Sequence, residues 1–335
     1  MLDLISDFFL TPLLSEEGIE KEKGPVRSEI GVEDDDSMEK SKQLLNKLMY
    51  GNQPAGKLDS GTVEDLLALS RKKLLKYRRD HYLPESTVVV VAGPMHETDA
   101  FAAVEEKFSS FKEEDPKRPK KIKTQQRQSK PKLLLFERDT DQTYLSFGFR
   151  SYPASSKHME TLDVLKELVV NFSSDLFKRI RFEIGATYDV EVFNHFFADR
   201  GKFTISLAVN SDQVQDVVVA VLDELKKLKH RPVSRSEKKK AKFQIEEAKS
   251  WALMELKDFY NESQKLVKFY GEQAAIKGTK GKILSIEEER ELIKKVQVKD
   301  IYMIARKIFT NKRMNLAIVG PHKNKRRFSK VFKFS

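Results

Sequence analysis

The sequence predicts an α+β fold of two homologous lobes, each an antiparallel sheet flanked by helices, in which the first lobe lacks its N-terminal half. Three observations support this prediction. Helical patterns are mixed with short strands that pair as hairpins. One residue pattern recurs between the two ends of the chain, and a basic, proline-containing segment separates them. A chain of 335 residues is long enough for two domains.

The part of the chain before the basic segment is predicted to be mainly helical. Apolar spacing predicts helices over residues 2–14, 17–30, 37–49, 63–81 and 98–108. The β-branched run at 87–92 predicts one strand. Residues 111–131, rich in charge and proline, are predicted to be a linker. Residues 1–110 are therefore the predicted first lobe.

The part after the linker alternates strands and helices. Strands are predicted as a pair within 132–150 and singly at 187–197, 201–210 and 314–319. Helices are predicted at 157–172, 174–184, 213–228, 235–259 and 286–307. Residues 132–322 are therefore the predicted second lobe, complete in itself, and residues 323–335 form a basic tail.

An internal repeat relates the two lobes. Residues 82–94 match residues 309–321 without a gap, each an apolar run ending in Gly-Pro, at an offset of 227. Upstream, the Leu-Asp pair at 2–3 and the proline at 12 match residues 222–223 and 232 at an offset of 220. The second copy then contains about 90 residues without a counterpart in the first.

The repeat has a consequence for the first lobe. Its sheet lacks the strands that the second lobe forms from residues 131–220, so we expect exposed sheet edges and exposed apolar faces. We also expect a partner chain, or an upstream stretch of the same gene, to complete this lobe.

Composition excludes several kinds of site. The chain has no cysteine, which excludes disulfides and thiolate metal ligands. The six histidines show neither helical i, i+4 pairing nor metal-ligand spacing. The net charge of +11 is concentrated in residues 112–132 and 226–250, without the interleaved aromatic residues that nucleic-acid binding requires. We expect a basic surface and no nucleic-acid site.

The N-terminal residues lack the features of an export signal. Residues 1–14 form an amphipathic pattern with Asp3 and Asp7 and no basic residue. No run in the sequence is long and apolar enough to span a membrane. We therefore expect a cytoplasmic protein.

Glu22 and Glu29 are the candidate chemical residues of the first lobe. They are seven residues apart, which places both carboxylates on one face of a helix, two turns apart. Pro25 between them predicts a break or a kink. Alternatively, these acids and their neighbours Lys21 and Arg27 form only a solvated, salt-bridged surface.

The same stretch resembles a peptidase family. The pattern I-E-x-E-x-x-x-x-x-x-E-I at 19–30 follows an L-D-x-L helix and a proline, and is similar to the insulinase and mitochondrial-processing-peptidase family of pitrilysin-like inverted zincins. The resemblance implies a metallopeptidase fold of the LuxS and processing-peptidase type. That family binds zinc through two histidines of H-x-x-E-H and a distal glutamate, and the glutamate of the motif is its general base.

By this resemblance Glu29 is the distal zinc ligand and Glu22 is an assisting residue near the site. The sequence contains no H-x-x-E-H. The resemblance therefore implies that no catalytic set is complete in this chain and that the chain alone does not bind zinc usefully, because such sites take three protein ligands.

A second motif lies in the second lobe. Residues 176–188 resemble the family pattern L-F-x-x-L-R-x-x-x-G-L-A-Y, in which an arginine and a tyrosine seven residues later reach the substrate backbone. The resemblance assigns these roles to Arg181 and Tyr188, where a guanidinium and a phenol supply hydrogen-bond donors. Without the family match, the simpler interpretation is an arginine closing a helix and a tyrosine opening a strand.

The resemblance as a whole predicts a member of the zinc metalloendopeptidases that is inactive by itself, with polypeptide as its substrate and H-x-x-E-H supplied by a partner chain or upstream segment. An alternative is a noncatalytic, polypeptide-binding partner subunit of a heteromeric processing peptidase. A basic nucleic-acid-binding protein is a third, less favoured class.

Overall fold

The computed structural model describes residues 1–112, 124–125, 127–187, 189–278 and 281–334. Most of the predicted linker at 111–131 lies outside the described residues. Both helices and strands are present, which confirms the α+β class.

The chain packs as two compact units, each built from separate stretches. The first unit comprises Met1–Val32, Ser60–Ile122 and Lys257–Ile283. The second unit comprises Glu33–Asp59, Lys123–Leu256 and Leu284–Ser335. Packing therefore does not follow the linear order of the lobes predicted from sequence, because one stretch of each predicted lobe packs in the other unit.

The helices of the first half of the chain are α1 (Leu2–Leu10), α2 (Glu16–Asp35), α3 (Ser37–Tyr50), α4 (Val63–Leu67), α5 (Arg71–His81) and α6 (Glu97–Phe108). The remaining helices are α7 (Met159–Val170), α8 (Asp175–Lys178), α9 (Val214–Lys227), α10 (Arg235–Lys257), α11 (Ser263–Lys277), α12 (Ile286–Lys295), α13 (Val298–Ile308) and α14 (Lys325–Val331). Short 3₁₀ turns lie at Pro54–Gly56, Pro84–Ser86 and Asp258–Tyr260, and a π-helical turn at Arg179–Ile184.

The second unit contains a five-stranded sheet. Its strands are β1 (Lys132–Glu137), β2 (Gln142–Ser151), β3 (Glu191–Phe196), β4 (Gly201–Asn210) and β5 (Met314–Gly320). Their order is β1-β5-β2-β4-β3, with β1 and β5 parallel and the other pairs antiparallel. The predicted pairing within 132–150 is wrong, because β5 inserts between β1 and β2.

One face of this sheet carries the main core. Alternate positions of β2, β4 and β5 point large apolar side chains to the same side, as the period of two requires. The side chains with almost no exposure are Leu145, Phe147, Phe149, Phe203, Ile205, Leu207, Leu316 and Ile318. Helices α7, α9 and α13 pack near this face. Each fully buried side chain of this size contributes about 1.5–3 kcal/mol relative to exposure.

The opposite face is lined by small and polar residues and is covered by α3. A Cβ added to Gly148 would lie 2.8 Å from Met49 Sδ and 2.9 Å from Leu45 Cδ1, so the helix packs directly on the strand backbone. The hydroxyl of Ser146 is 2.6 Å from that of Ser41 on α3 and 3.1 Å from that of Ser206 on β4. Hydrogen-bonded hydroxyls avoid the cost of burying unpaired polar groups.

The described part of the first unit is helical, and it packs around Phe9. The ring centroid of Phe9 lies 5.4 Å from Tyr82, 6.0 Å from Phe108 and 5.5 Å from Phe111. The Arg78 guanidinium donates to the Leu10 carbonyl at 2.7 Å and so ties α5 to the end of α1.

The prediction of a strand at 87–92 is wrong, since these residues form no strand. Val88, Val89 and Val91 are each about 40% exposed. A β-branched run forms a strand only where another strand accepts its hydrogen bonds. The expected exposed apolar surface of the first lobe is present at these residues.

The repeat extends through the helices. At the offset of 227, α5 (Arg71–His81) corresponds to α13 (Val298–Ile308) residue by residue, and α3 corresponds to α11 within one residue. Helix α3 nevertheless packs in the second unit and α11 in the first. The two copies therefore exchange this helix.

Candidate functional site

Helix α2 carries both predicted acidic residues. Glu22 and Glu29 are exposed, and their seven-residue spacing in a continuous helix places them on one face. The helix continues through Pro25, so the predicted break does not occur. Near its first turns, the Lys23 ammonium pairs with Glu20 at 2.7 Å and contacts the Leu67 carbonyl at 3.4 Å.

The carboxylates of α2 do not belong to a larger group of metal-binding side chains among the described residues. Within the described residues there is no group of three or more His, Asp or Glu side chains that could hold a metal ion. Zinc sites take at least three protein ligands. The described part of this chain therefore does not fit a zinc ion by itself.

Arg181 lies in the π-helical turn Arg179–Ile184, which continues directly from α8. A π turn inserts one extra residue per turn and is often found at functional sites. The guanidinium carbon of Arg181 lies 5.9 Å from the ring centroid of Phe182. The turn ends at Gly185, whose φ of 68° is in the left-handed region that glycine adopts without strain. Tyr188, the other predicted residue, lies outside the described residues.

The π turn is fixed to α9 by an ion-pair group that sequence reasoning missed. The Arg179 guanidinium donates to Glu224 at 3.0 Å and to Asp223 at 3.3 Å. Glu224 is only 6% exposed, and the Lys227 ammonium also pairs with it at 2.8 Å. Buried Ile180 anchors the turn in the apolar core. These contacts hold the backbone that carries Arg181, and the 45-residue separation of Arg179 and Glu224 left no sequence signal.

A second polar network surrounds β3 beneath α3. The Lys42 ammonium bridges to Glu191 at 3.0 Å, and the Lys202 ammonium donates to Asn46 at 2.7 Å. Burial, with Lys202 and Lys42 nearby, lowers the pKa of His195 to about 4. Burial also lowers the pKa of Lys202 to about 8. These groups tie α3 to the sheet.

On the apolar side of β3, the Asn194 side-chain amide donates a hydrogen bond to the Asp163 carboxylate on α7 at 2.8 Å. Burial raises the pKa of Asp163 to about 7 despite this hydrogen bond. Sequence reasoning did not single out Asp163, and it interpreted His195, like the other histidines, as a surface or capping residue. A lone acid or histidine in an apolar pattern gives no signal of its neighbours.

Comparison with known proteins agrees with this architecture. A sequence model described as the Peptidase M16 inactive domain matches residues 68–245, more than half of the chain. The chain belongs to the M16 peptidase family. This confirms the family that the motifs of α2 and the π turn predicted.

Relatives with curated sequences carry zinc protease names. An uncharacterized zinc protease of Mycobacterium tuberculosis is 27% identical over 328 residues, which cover 97% of this chain and 72% of that protein. An uncharacterized zinc protease of Bacillus subtilis is 28% identical over 246 residues, covering 73% of this chain and 59% of its own length.

Several solved structures share the fold. A protease from Helicobacter pylori superimposes with a TM-score of 0.83 at 18% identity, over 96% of this chain and 76% of its own. An M16 inactive domain from Pseudomonas fluorescens gives 0.82 at 16%, over 96% and 74%. A chain of Complex III2 from Candida albicans gives 0.82 at 16%, over 99% and 80%. These identities establish the fold alone.

Among the described residues, no helix is both long and apolar enough to cross a membrane. The cytoplasmic location stays a prediction.

Proposed function

We propose that this M16 chain is the substrate-holding part of a zinc metallopeptidase and is inactive alone, with the H-x-x-E-H segment supplied by another polypeptide or another stretch of chain. In this assembly Glu29 provides one oxygen ligand to zinc and Glu22 assists beside it. Arg181 and Tyr188 donate to the backbone of the bound polypeptide.

One observation carries this proposal. Glu22 and Glu29 are exposed together on one face of α2, and the described residues contain no group of three side chains that could hold a metal ion. Glu29 alone leaves a zinc site two ligands short of its usual three, and zinc peptidases take such ligands from histidine. The zinc protease names of the relatives support the same cofactor.

The exposed run at 87–92 supports the need for a completing segment. Val88, Val89 and Val91 are exposed where the equivalent positions of the second unit are fully buried. An unpaired apolar run offers backbone donors and acceptors to an added strand. We further propose residues 1–110 as the C-terminal half of the metal-binding lobe and residues 132–322 as the substrate-clamping lobe, joined by the linker 111–131 and followed by the tail 323–335.

Mixing the chain with a polypeptide that carries the H-x-x-E-H region of a related zinc protease tests the proposal. Bound zinc is measured after equilibrium dialysis, and cleavage is followed with a quenched fluorescent peptide. We expect neither zinc nor cleavage with the chain alone, and both with the mixture. Glu29→Gln in the mixture should weaken zinc binding at least about tenfold, whereas the exposed Glu17→Gln on the same helix should not.

Two results would refute it. The first is saturable, micromolar zinc binding by the chain alone, seen also as a rise in its thermal midpoint. The second is a mixture in which Glu29→Gln binds zinc and cleaves peptide as well as the unchanged chain does.

A noncatalytic partner subunit is the second candidate. The fold similarity to a chain of Complex III2 favours it, because that protein is part of a larger assembly. Such a subunit would form a stable complex and bind polypeptide without acquiring zinc or cleaving. Arg181→Ala should weaken peptide binding in either case, and Arg235→Ala, at the exposed start of α10, serves as the charge-matched control.

A further inference from the structure

The second unit contains a cavity that neither sequence reasoning nor the proposed function uses. It lies between α10 and the junction of α12 and α13, and its volume is about 380 Å³. Its lining residues are Lys242, Glu246, Lys249, Lys294, Lys295, Val296, Gln297 and Val298. A volume of this size holds a small anion together with ordered water.

The lining is strongly basic. Lys242, Glu246 and Lys249 follow one another at i, i+4 and i+7 on one face of α10. Lys294 and Lys295 enter from the last turn of α12. Four ammonium groups therefore surround the cavity and only one lining carboxylate opposes them.

Two of the four lysines are already paired. The Lys249 ammonium, which is 8% exposed as a residue, contacts Glu246 at 3.0 Å and the Lys294 carbonyl at 3.2 Å. The Lys294 ammonium pairs with Glu291 at 2.6 Å. Lys242 and Lys295 form no ion pair within 4.0 Å among the residues that the structure describes. Two lining lysines therefore lie outside direct ion pairs, although Lys295, after Lys294, helps to lower the pKa of the Glu291 carboxyl.

Ordinary helix electrostatics explains only part of this arrangement. Lys294 and Lys295 stabilise the C-terminal end of α12, where the helix dipole is negative. Lys242 and Lys249 come from a different helix, and bringing them toward the α12 lysines costs free energy through like-charge repulsion. An anion in the cavity removes that cost.

The repeat adds an independent observation. At the offset of 220, Lys242 and Lys249 occupy the positions of Glu22 and Glu29, and α10 corresponds to α2. The face that presents two exposed carboxylates in the first copy thus presents two ammonium groups in the second. A cation site at these positions is impossible, and the ligand preference is reversed.

We propose that this cavity binds a dianionic phosphoryl group, either as inorganic phosphate or as a small phosphate monoester. Four lysines against one lining carboxylate give the cavity a positive charge that a dianion balances, and lysine binds phosphate as a point charge. This site does not depend on the peptidase function proposed above.

The test measures binding of inorganic phosphate to the full chain by calorimetry and by the thermal midpoint, with sodium chloride adjusted to constant ionic strength. We expect saturable binding with one site per chain. In Lys242→Gln/Lys295→Gln, affinity should fall at least about tenfold, because two charge-assisted contacts to the anion are lost. Both residues are exposed, and circular dichroism verifies that the variant folds.

The double variant Lys312→Gln/Lys330→Gln is the matched control, since it removes the same charge from exposed positions of the second unit outside the cavity. It should bind phosphate unchanged. A second titration uses phenyl phosphate. If it binds more tightly than inorganic phosphate, the ligand is a phosphate ester; if it binds more weakly, the ligand is the free anion.

The proposal is overturned if sodium chloride reproduces the phosphate effect or if the control variant loses binding equally. It is also overturned if triglutamate binds through Lys242 and Lys295 while phosphate does not, because the cavity then recognises acidic peptide.

Discussion

The two copies of the apolar run share a pattern and a final Gly-Pro, yet they fold differently. In the second unit, residues 315–319 form the middle of β5, paired on both sides, and Leu316, Ala317, Ile318 and Val319 are fully buried. In the first unit, residues 88–92 form no strand and three of the valines are exposed. Neighbouring strands, rather than the composition of the run, determine whether the strand forms.

In both copies the run contacts a helix, although only the second copy pairs with other strands. Ala317 clusters with Leu45 and Met49 of α3. Its counterpart Val90 faces α11, where a Cβ on Gly271 would lie 3.4 Å from Val90 Cγ2. In the second unit the small residue, Ala317, is on the strand and the larger residues are on the helix. In the first unit the small residue, Gly271, is on the helix and the larger residue, Val90, is on the run.

The largest expected effect comes from truncating equivalent positions of the two runs. Ile318→Ala should lower the free energy of unfolding by about 2–5 kcal/mol, because it leaves a cavity in a fully packed core. Val91→Ala, at the matching exposed position, should change it by only about 0.5 kcal/mol. Urea unfolding followed by circular dichroism measures both. Equal losses would mean that the two runs are equally packed.

A half-buried histidine of β3 should give the second unit a pH dependence. His195 has a pKa of about 4 in the folded protein, against about 6.5 when unfolded. As the pH falls from 6.5 to 4, the unfolded chain takes up a proton that the folded chain does not, so stability decreases by at most about 3 kcal/mol.

The measurement compares urea unfolding of the unchanged protein and His195→Gln at several pH values. Relative to the variant, the unchanged protein should lose stability as the pH falls. The raised pKa of Asp163 acts in the opposite direction but is present in both proteins. His96→Gln, at an exposed histidine of the first unit, is the control. Parallel pH profiles for the unchanged protein and His195→Gln would disprove the expectation.

The glycines at the two helix contacts should respond with opposite sign. Gly148→Ala places a Cβ 2.8 Å from Met49 Sδ in a buried interface and should cost about 1–3 kcal/mol. Gly271→Ala lies within α11 at an ordinary contact distance and should stabilise by about 1 kcal/mol through helix propensity. Thermal unfolding measures both, and destabilisation by Gly271→Ala would show that α11 packs as tightly as α3.

The smallest effect concerns the starts of the exchanged helices. The Asp36 side chain accepts from the Met38 and Glu39 amides at 2.8 and 3.0 Å, so Asp36→Ala should cost about 1 kcal/mol. Glu262 precedes α11 without a side-chain cap, so Glu262→Ala should change stability by less than about 0.5 kcal/mol. Chemical denaturation measures the two changes in the free energy of unfolding. A larger loss of stability in Glu262→Ala than in Asp36→Ala would contradict the assignment of the side-chain cap to Asp36.

Sequence patterns predicted the repeat and most helices, but not where helices break or which sheet they cover. The helices predicted at 63–81 and 286–307 each divide in two, because the Ser70 side chain caps α5 and the Asp300 carboxylate accepts from the Gln297 amide at the start of α13. Apolar spacing predicted the helix at 37–49 without revealing that it lies on the second unit's sheet. That depends on contacts distant in sequence.

The candidate site was predictable to a similar extent. The spacing of Glu22 and Glu29 correctly placed both on one helix face, and their roles stay predictions. The π turn at Arg181 and the ion pairs of Arg179 were missed, since no residue pattern distinguishes a π turn from an α-helix. The basic residues at 226–250 were interpreted as a solvated face, yet Lys249 is buried and lines a cavity.

The exchange of α3 and α11 also has a consequence for how the protein is made. Leu45 meets Ala317 across about 270 residues of chain, so the packing of α3 on the sheet is completed only after β5 has been synthesised. Contacts of such long sequence separation slow folding, because the conformational entropy of the intervening loop is lost before the contacts contribute any free energy. The first copy therefore cannot complete its packing until α11 has been synthesised, whereas α3 is already available when the strands of the second copy appear.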